Sequence, residues 1–232
     1  MRLTPNVLLD APSFINPQHE RTLSLRSLKI PMIENFTVTK DVNEAIDLTD
    51  NDIKILGNFP ILTRLKTLLL AKNRIQTIQD DFYTTVPMLE SLSLISNSLA
   101  SLSSLEPLKN CKRLKNLYIL NNHISQQEHY RLFIIWLIPQ LKVLDFMKIK
   151  DKERTQANEL FGEVEEPTEL AKTILNSKPK HILDNDKDDD QIKDVLKKLS
   201  EEDREKLKQQ LKTATSLSEI DKIETALKNG YI

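Results

Sequence analysis

The 232-residue chain is predicted to be an α/β solenoid of leucine-rich repeats, with a parallel concave sheet and a helical carboxyl-terminal tail. Three observations predict this class. The phrase L-x-x-L-x-L-x-x-N-x-[LI] is complete at Leu65–Ile75, Leu89–Leu99 and Leu114–Ile124; a fourth copy at Ile46, Leu48, Asn51 and Ile53 lacks only its first leucine, where Asn43 stands. Asn51, Asn73, Asn97 and Asn122 recur at steps of 22, 24 and 25 residues, the period of this repeat class. Between phrases the apolar spacing shifts from two to three, as in Ile53, Leu56, Phe59, Leu62 and Leu65, and again from Leu99 through Leu102, Leu105, Leu108 and Cys111 to Leu114.

Each position has a physical role. In L-x-L, Leu68 and Leu70 face the core while Leu69 faces away, as a short strand requires. The asparagine ends the strand, and its amide can bond backbone of neighbouring coils, so the four are expected to stack as a ladder. The period-three stretches predict a short helical or 3-10 return behind each strand. A single coil cannot bury its own apolar face, so the stack needs closure at both ends. At the front (1–20), Thr4-Pro5 is a helix start, and Val7, Leu8, Phe14 and Ile15 offer an apolar cover. The repeat domain with its rear cap spans 21–161, about six coils. Its first copy is degenerate, with Leu23, Leu25 and Ile30 in place and Leu28 in the asparagine slot. Its last uses Leu141, Leu144 and Phe146, with Ile149 in that slot, behind the aromatic-rich Tyr130–Pro139. Residues 151–161, with Ala157, Leu160 and Phe161, read as a helix continuing the cap.

Beyond this lies a predicted linker, 162–190, broken by a short helix near Leu170–Leu175 and acidic at its end. Helices are expected over 191–232: Ile192, Val195, Leu196 and Leu199 lie at helical spacing, Ser200 and Asp203 suit a capping box, and Asn229-Gly230 suits a carboxyl cap.

Composition narrows the function. Residues 1–150 carry 18 Lys and Arg against 14 Asp and Glu, a balance of +4, and 151–232 carry 15 against 20, a balance of −5. Such a chain is poorly suited to gripping nucleic acid alone, which needs many phosphate contacts. A single cysteine rules out an internal disulfide and favours a reducing compartment. No signal peptide is visible, and the apolar run Leu132–Ile138 is too short to span a bilayer, so no membrane association is expected. Asp184, Asp186, Asp188 and Asp190 resemble the start of a calcium loop, but Asp189 stands at its glycine place and Val195 at its glutamate place, which favours a solvated acidic linker. His19, His123, His129 and His181 lack ligand spacing, and Cys111 occupies an apolar slot suited to an inert thiol. No phosphate loop or nucleophile motif occurs, so neither enzyme activity, metal nor cofactor is expected.

What remains is the face the strands present. Its outward positions are Thr22, Ser24, Arg26 and Ser27; Ala45, Asp47, Thr49 and Asp50; Thr67, Leu69, Ala71 and Lys72; Ser91, Ser93, Ile95 and Ser96; Asn116, Tyr118, Leu120 and Asn121. Leu69, Ile95, Tyr118 and Leu120 make an apolar strip across the later coils, which points to a protein partner, and a helix fits such a concavity. Single exposed leucines are ordinary; four on adjacent strands are less so.

The segments Arg21–Asn35, Ala45–Asn51, Phe59-Pro60, Arg64–Leu68, Tyr130–Leu132 and Val143–Phe146 together resemble the A-prime family of the spliceosomal U2 small nuclear ribonucleoprotein, as does Thr215–Gly230 in the tail, and the divergent spacing suggests a fungal member. The resemblance implies a nuclear, non-catalytic splicing scaffold. Its concave sheet would hold the first helix of the RNA-recognition-motif protein B-double-prime, and the pair would bind a stem-loop of U2 RNA. Carried onto this chain, Ser24, Arg26, Asp47, Thr49, Asp50, Leu69, Lys72, Ser93, Ile95, Ser96, Tyr118, Leu120 and Asn121 would hold the partner, with Asp47, Asp50, Lys72 and Tyr118 giving polar specificity. Arg26, Lys29, Lys40, Lys66, Lys112 and Lys115 could touch flanking RNA, although each also reads as a solvated surface charge. The tail would meet other spliceosomal proteins. Two other classes compete. A phosphatase-regulating repeat protein would show a more acidic and aromatic concave face, and an acidic nuclear chaperone a longer carboxylate tract than 184–190, which Lys187 interrupts.

Overall fold

The computed structural model describes residues 1–164 and 166–177; the acidic run and the helices expected over 191–232 lie outside the described residues. The leucine phrases dictate the main sheet. Strands β2 (Arg21–Ser24), β3 (Ala45–Asp47), β5 (Thr67–Leu69), β7 (Ser91–Ser93), β8 (Asn116–Tyr118) and β9 (Val143–Leu144) lie parallel, one per coil. Antiparallel edge strands β1 (Ser13–Ile15) and β10 (Met147–Lys148) complete eight. Leu23, Ile46, Leu68, Leu92, Leu117 and Leu144 share one inward row, and all are buried.

The asparagine ladder forms with a fixed rule. Each Nδ2 donates to the carbonyl three residues before the slot in the preceding coil, and each Oδ1 accepts the N–H two residues after that coil's slot. Asn51 thus bonds Leu25 O at 2.8 Å and Ile30 N at 3.0 Å, and Asn73 bonds Leu48 O at 3.0 Å and Ile53 N at 3.1 Å. Asn97 bonds Leu70 O and Ile75 N, both at 2.9 Å, and Asn122 bonds Leu94 O at 2.8 Å and Leu99 N at 3.1 Å. The four N–H groups would otherwise be buried without partners, which is why amides rather than apolar residues hold the slots.

On the convex side the expected helical return forms only in part. Leu102–Asn110 is a 3-10 helix, but Ile53–Leu65 holds no helix: β4 (Ile55–Leu56) pairs with β6 (Thr77–Ile78) in a small parallel sheet. The period-three residues of this arm are still buried, because Asn58 takes a positive φ of 58° and swings Phe59 inward. There Phe59 packs between Phe36 and Phe82, ring centroids 5.1 and 6.4 Å away. The short α2 (Phe82–Thr85) supplies the last of these rings.

At the front, Thr4 caps α1 (Pro5–Asp10) as expected, but the cover is built by Leu3 and Leu8, with Val7 half-buried. Phe14 and Ile15, expected in that cover, are exposed instead, because their segment is an edge strand. At the rear, α3 (Tyr130–Leu137) and α4 (Asp151–Phe161) seal the stack: Phe161 sits 5.5 Å from Phe133 and 5.6 Å from Trp136, whose Nε1 donates to Gly162 O at 2.8 Å. Arg131 ties them, pairing with Glu153 at 2.6 Å and donating to Leu144 O at 3.2 Å. The segment from Gly162, expected to be a linker, is not free over its described part. Helix α5 (Glu169–Asn176) buries Ala171, and the hydroxyls of Ser101 and Ser103 donate to Ser177 O at 2.9 and 2.6 Å.

The last coil departs from its expected register. Its strand stops at Leu144, and Asp145 and Phe146 (φ 51° and 64°) form a two-residue hairpin turn with both central residues left-handed, as in type I′. Phe146, expected inward, is 67% exposed, and Ile149 does not serve the ladder although it is buried. Asp145 fastens this coil by another route: its carboxylate accepts Ile119 N at 2.7 Å and the Tyr130 hydroxyl at 2.6 Å, whereas the ladder rule would use Ile119 O and Ile124 N. Burial raises the Tyr130 pKa, so this hydroxyl stays a donor.

Two outcomes follow for stability. Asn97→Leu orphans Ile75 N–H and removes one of the two amide donors to Leu70 C=O, which keeps that of Asn73, and should cost about 2 kcal/mol in urea denaturation. The Arg131 hydrogen bond holds the Glu153 carboxyl below the ordinary carboxylate range. Its contribution is therefore full above the ordinary value of about 4.3 and lost as pH falls through the depressed folded value. Thermal unfolding should show a shallower acid-side loss of stability in Glu153→Gln than in the parent.

Candidate functional site

Strand registry aligns the outward positions into rows across the concave face. Thr22, Ala45, Thr67, Ser91, Asn116 and Val143 form the first; Ser24, Asp47, Leu69, Ser93 and Tyr118 form the second. Beyond the strand ends, backbone bonds from Ser27 N to Thr49 O, Asp50 N to Ala71 O, Lys72 N to Ile95 O and Ser96 N to Leu120 O continue the alignment. A third row is therefore Arg26, Thr49, Ala71, Ile95 and Leu120.

Ser27, Asp50, Lys72, Ser96 and Asn121 do not belong to the strands. Each has a φ between 55° and 62° and makes the left-handed turn that delivers the next residue into the ladder slot. They line the rim where the strands end, and Asp50 there accepts the Ser27 hydroxyl at 2.7 Å. The floor is closer-packed than the sequence suggests: Thr22, Ala45, Asp47, Thr49, Thr67 and Ser93 are all buried. Asp47 is held from two sides, by Arg26 at 2.8 Å and by Thr49 N at 3.0 Å. Leu69, Ile95, Tyr118 and Leu120 stand half-buried along the later coils, with Ser24 half-buried on the first.

Two residues of this face are not among the outward positions of the repeat phrase. Phe14, paired with Thr22, stands on the concave side at the front edge, 50% exposed. Phe146 stacks on Tyr118 at the rear, ring centroids 4.6 Å apart and planes 31° from parallel. The face is a floor of small residues between aromatic posts. An antiparallel edge strand and a hairpin tip carry the posts: the first lies outside the repeat spacing, and the second has that spacing but a turn places its ring outward.

The basic candidates do not form one patch. Arg26 and Lys29 follow β2, whereas Lys40, Lys66, Lys112 and Lys115 precede their strands and so lie at the opposite edge of the sheet. There, charges alternate from coil to coil: Lys66 pairs with Glu44 at 2.9 Å and Lys115 with Glu90 at 2.7 Å. The hydrogen bond from Lys66 lowers the Glu44 pKa, and the same bond raises that of Lys66. Lys29, Lys40 and Lys112 are exposed.

Among the described residues, no group of three or more His, Cys, Asp or Glu could hold a metal ion, and no helix is long and apolar enough to cross a membrane. Burial pushes the Cys111 thiol up to about 12, which leaves it unreactive at neutral pH. The geometry offers a binding surface.

Residues 1–175 match the leucine-rich-repeat family model, which makes the chain a leucine-rich-repeat protein. The U2 small nuclear ribonucleoprotein A′ of Schizosaccharomyces pombe is 41% identical over 237 residues, covering all of this chain and 99% of its own. That of Debaryomyces hansenii is 48% identical over 240 residues, with both chains fully covered. The crystal structure of the Drosophila melanogaster SNF/U2A′ complex contains a chain 43% identical, with a TM-score of 0.70 over 75% of this chain and 98% of that one. The chain belongs to the U2 small nuclear ribonucleoprotein A′ family.

Proposed function

We propose that the chain is a non-catalytic component of the nuclear U2 small nuclear ribonucleoprotein in pre-mRNA splicing. Its concave face receives a helix of an RNA-recognition-motif protein of the B-double-prime type and so positions that protein on a U2 RNA stem-loop. The observation that carries this reading is the Drosophila relative, crystallised as a SNF/U2A′ complex. The surface has the character this role needs. Small floor residues let a helix approach the sheet closely, and the apolar strip supplies burial. The Arg26–Asp47 pair offers a fixed charge pattern at the front.

The partner reads the bases and this chain contributes backbone contacts at most, because Lys66 and Lys115 are already ion-paired. Lys112 at one edge, or Lys29 at the other, is better placed for such a contact. The carboxyl-terminal tail reaches other spliceosomal proteins. The salt dependence of the RNA contact should therefore exceed that of the protein contact.

The test is purification of the tagged chain from nuclear extract, with sequencing of bound RNA and identification of bound protein. Recovery of one small nuclear RNA together with an RNA-recognition-motif protein supports the reading; recovery of a phosphatase or of histones without RNA overturns it. Leu69→Asp combined with Tyr118→Ala should abolish partner capture while leaving the melting temperature within a few degrees of the parent, since both side chains stand on the outer side of the sheet. Unchanged capture despite a folded variant contradicts the assignment of this face.

A further inference from the structure

The turn that ends the sheet holds a bulky aromatic residue where the backbone does not favour one. At φ 64°, Phe146 lies in the left-handed region, which suits asparagine, aspartate or glycine and is costly for a large side chain. The turn does not need its ring. Asp145 alone ties the hairpin to Ile119 N and to the Tyr130 hydroxyl. Nor does the core need it, because Phe36, Phe59, Phe82, Phe133 and Phe161 are buried, whereas Phe146 leaves 67% of its surface open. A costly conformation that buries little and serves no bond of the fold points to a role outside the fold.

The surroundings define what such a role can be. One face of the ring packs on Tyr118, and the uncharged strip of Leu120, Ile95 and Leu69 runs on from there across the sheet. The carboxylate of the adjacent Asp145 is occupied within the turn. A charged or strongly polar group placed on this step would lose water and gain no partner, whereas an aliphatic or aromatic one would gain burial. Rigid aromatic residues already held in place are also the side chains that most often dominate interface energetics.

We propose that Phe146 is an anchor of the concave binding surface: with Tyr118 it forms an aromatic step at the last coil that receives one large apolar side chain from the partner's docked helix. This rests on the reading of the concave face as the partner's seat. It adds a residue that the repeat phrase assigns to the core, and it states the chemistry the partner must bring to that end of the sheet.

The experiment titrates the full-length chain and its Phe146→Asn, Phe146→Tyr and Leu69→Asp variants against the purified SNF-type RNA-recognition-motif protein by calorimetry, with melting temperatures measured in parallel. Asparagine relieves the left-handed backbone and removes the ring. Phe146→Asn should therefore keep or raise the melting temperature while weakening binding about tenfold or more. Phe146→Tyr should bind within about threefold of the parent. Affinity of Phe146→Asn within about twofold of the parent overturns the proposal, as does a loss of affinity that tracks a lowered melting temperature. Unchanged protein affinity with weakened binding of U2 stem-loop RNA by the preformed pair also overturns it, by making the ring a platform for a base. The Leu69→Asp arm separates the two readings. If it abolishes binding while Phe146→Asn is silent, only the anchor fails; if it too is silent, the concave seat fails and the anchor falls with it.

Discussion

Coil-to-coil bonding by buried asparagine amides is the constraint from which the remaining architecture follows. Each amide bonds a carbonyl and an N–H of the coil before it, so every coil from the second to the fifth is fastened to its predecessor at the same two backbone positions. To bring the amide there, the preceding residue must turn left-handed, and Asp50, Lys72, Ser96 and Asn121 all do. Strand registry is thereby set, because a slip by one residue would both break the ladder and expose the leucines. The rows of the concave face are a geometric consequence of bonds made at its edge.

That arrangement also explains why the surface suits recognition. Small side chains make up much of the floor, as Thr22, Ala45, Thr67 and Ser93 do. Larger residues mark its two ends, Arg26 over Asp47 at the front and Tyr118 against Phe146 at the rear, with Leu69 and Ile95 between them. Charges are drawn to the edge where strands begin, as the Lys66–Glu44 and Lys115–Glu90 pairs, which leaves the later part of the floor apolar. The face can bury a helix without first having to neutralise itself.

Much of this was legible in the amino-acid order because the repeat makes the same demand of each coil. Leu68 and Leu70, Asn73 and Ile75 occupy the roles their spacing predicts, and so do their counterparts. Thr4 and Pro5 announced the first helix through local capping chemistry. The misreadings fall where the repeat ends. Phe14 and Ile15 were expected to cover the core, but an edge strand displays side chains on both faces and Leu3 had already closed the gap. Phe146 matched the inward leucine position by count, yet the two-residue turn beginning at Asp145 reversed the chain and left it outside. The arm from Ile53 to Leu65 shows that a spacing of three does not demand a helix when a short strand and irregular backbone can bury those residues. The concave positions were identifiable from alternation, whereas the pairing of Arg26 with Asp47 and of Lys66 with Glu44 depends on neighbouring coils and cannot be read along one.

The central claim is that the inner wall of this solenoid is a seat for another protein's helix. A crystal structure of the chain together with its RNA-recognition-motif partner tests it most directly. The account predicts a helix lying on Leu69, Ile95 and Tyr118, its flanks near Arg26 at one end and Phe146 at the other. A partner seated on the convex side, with the hollow filled only by solvent, would contradict it.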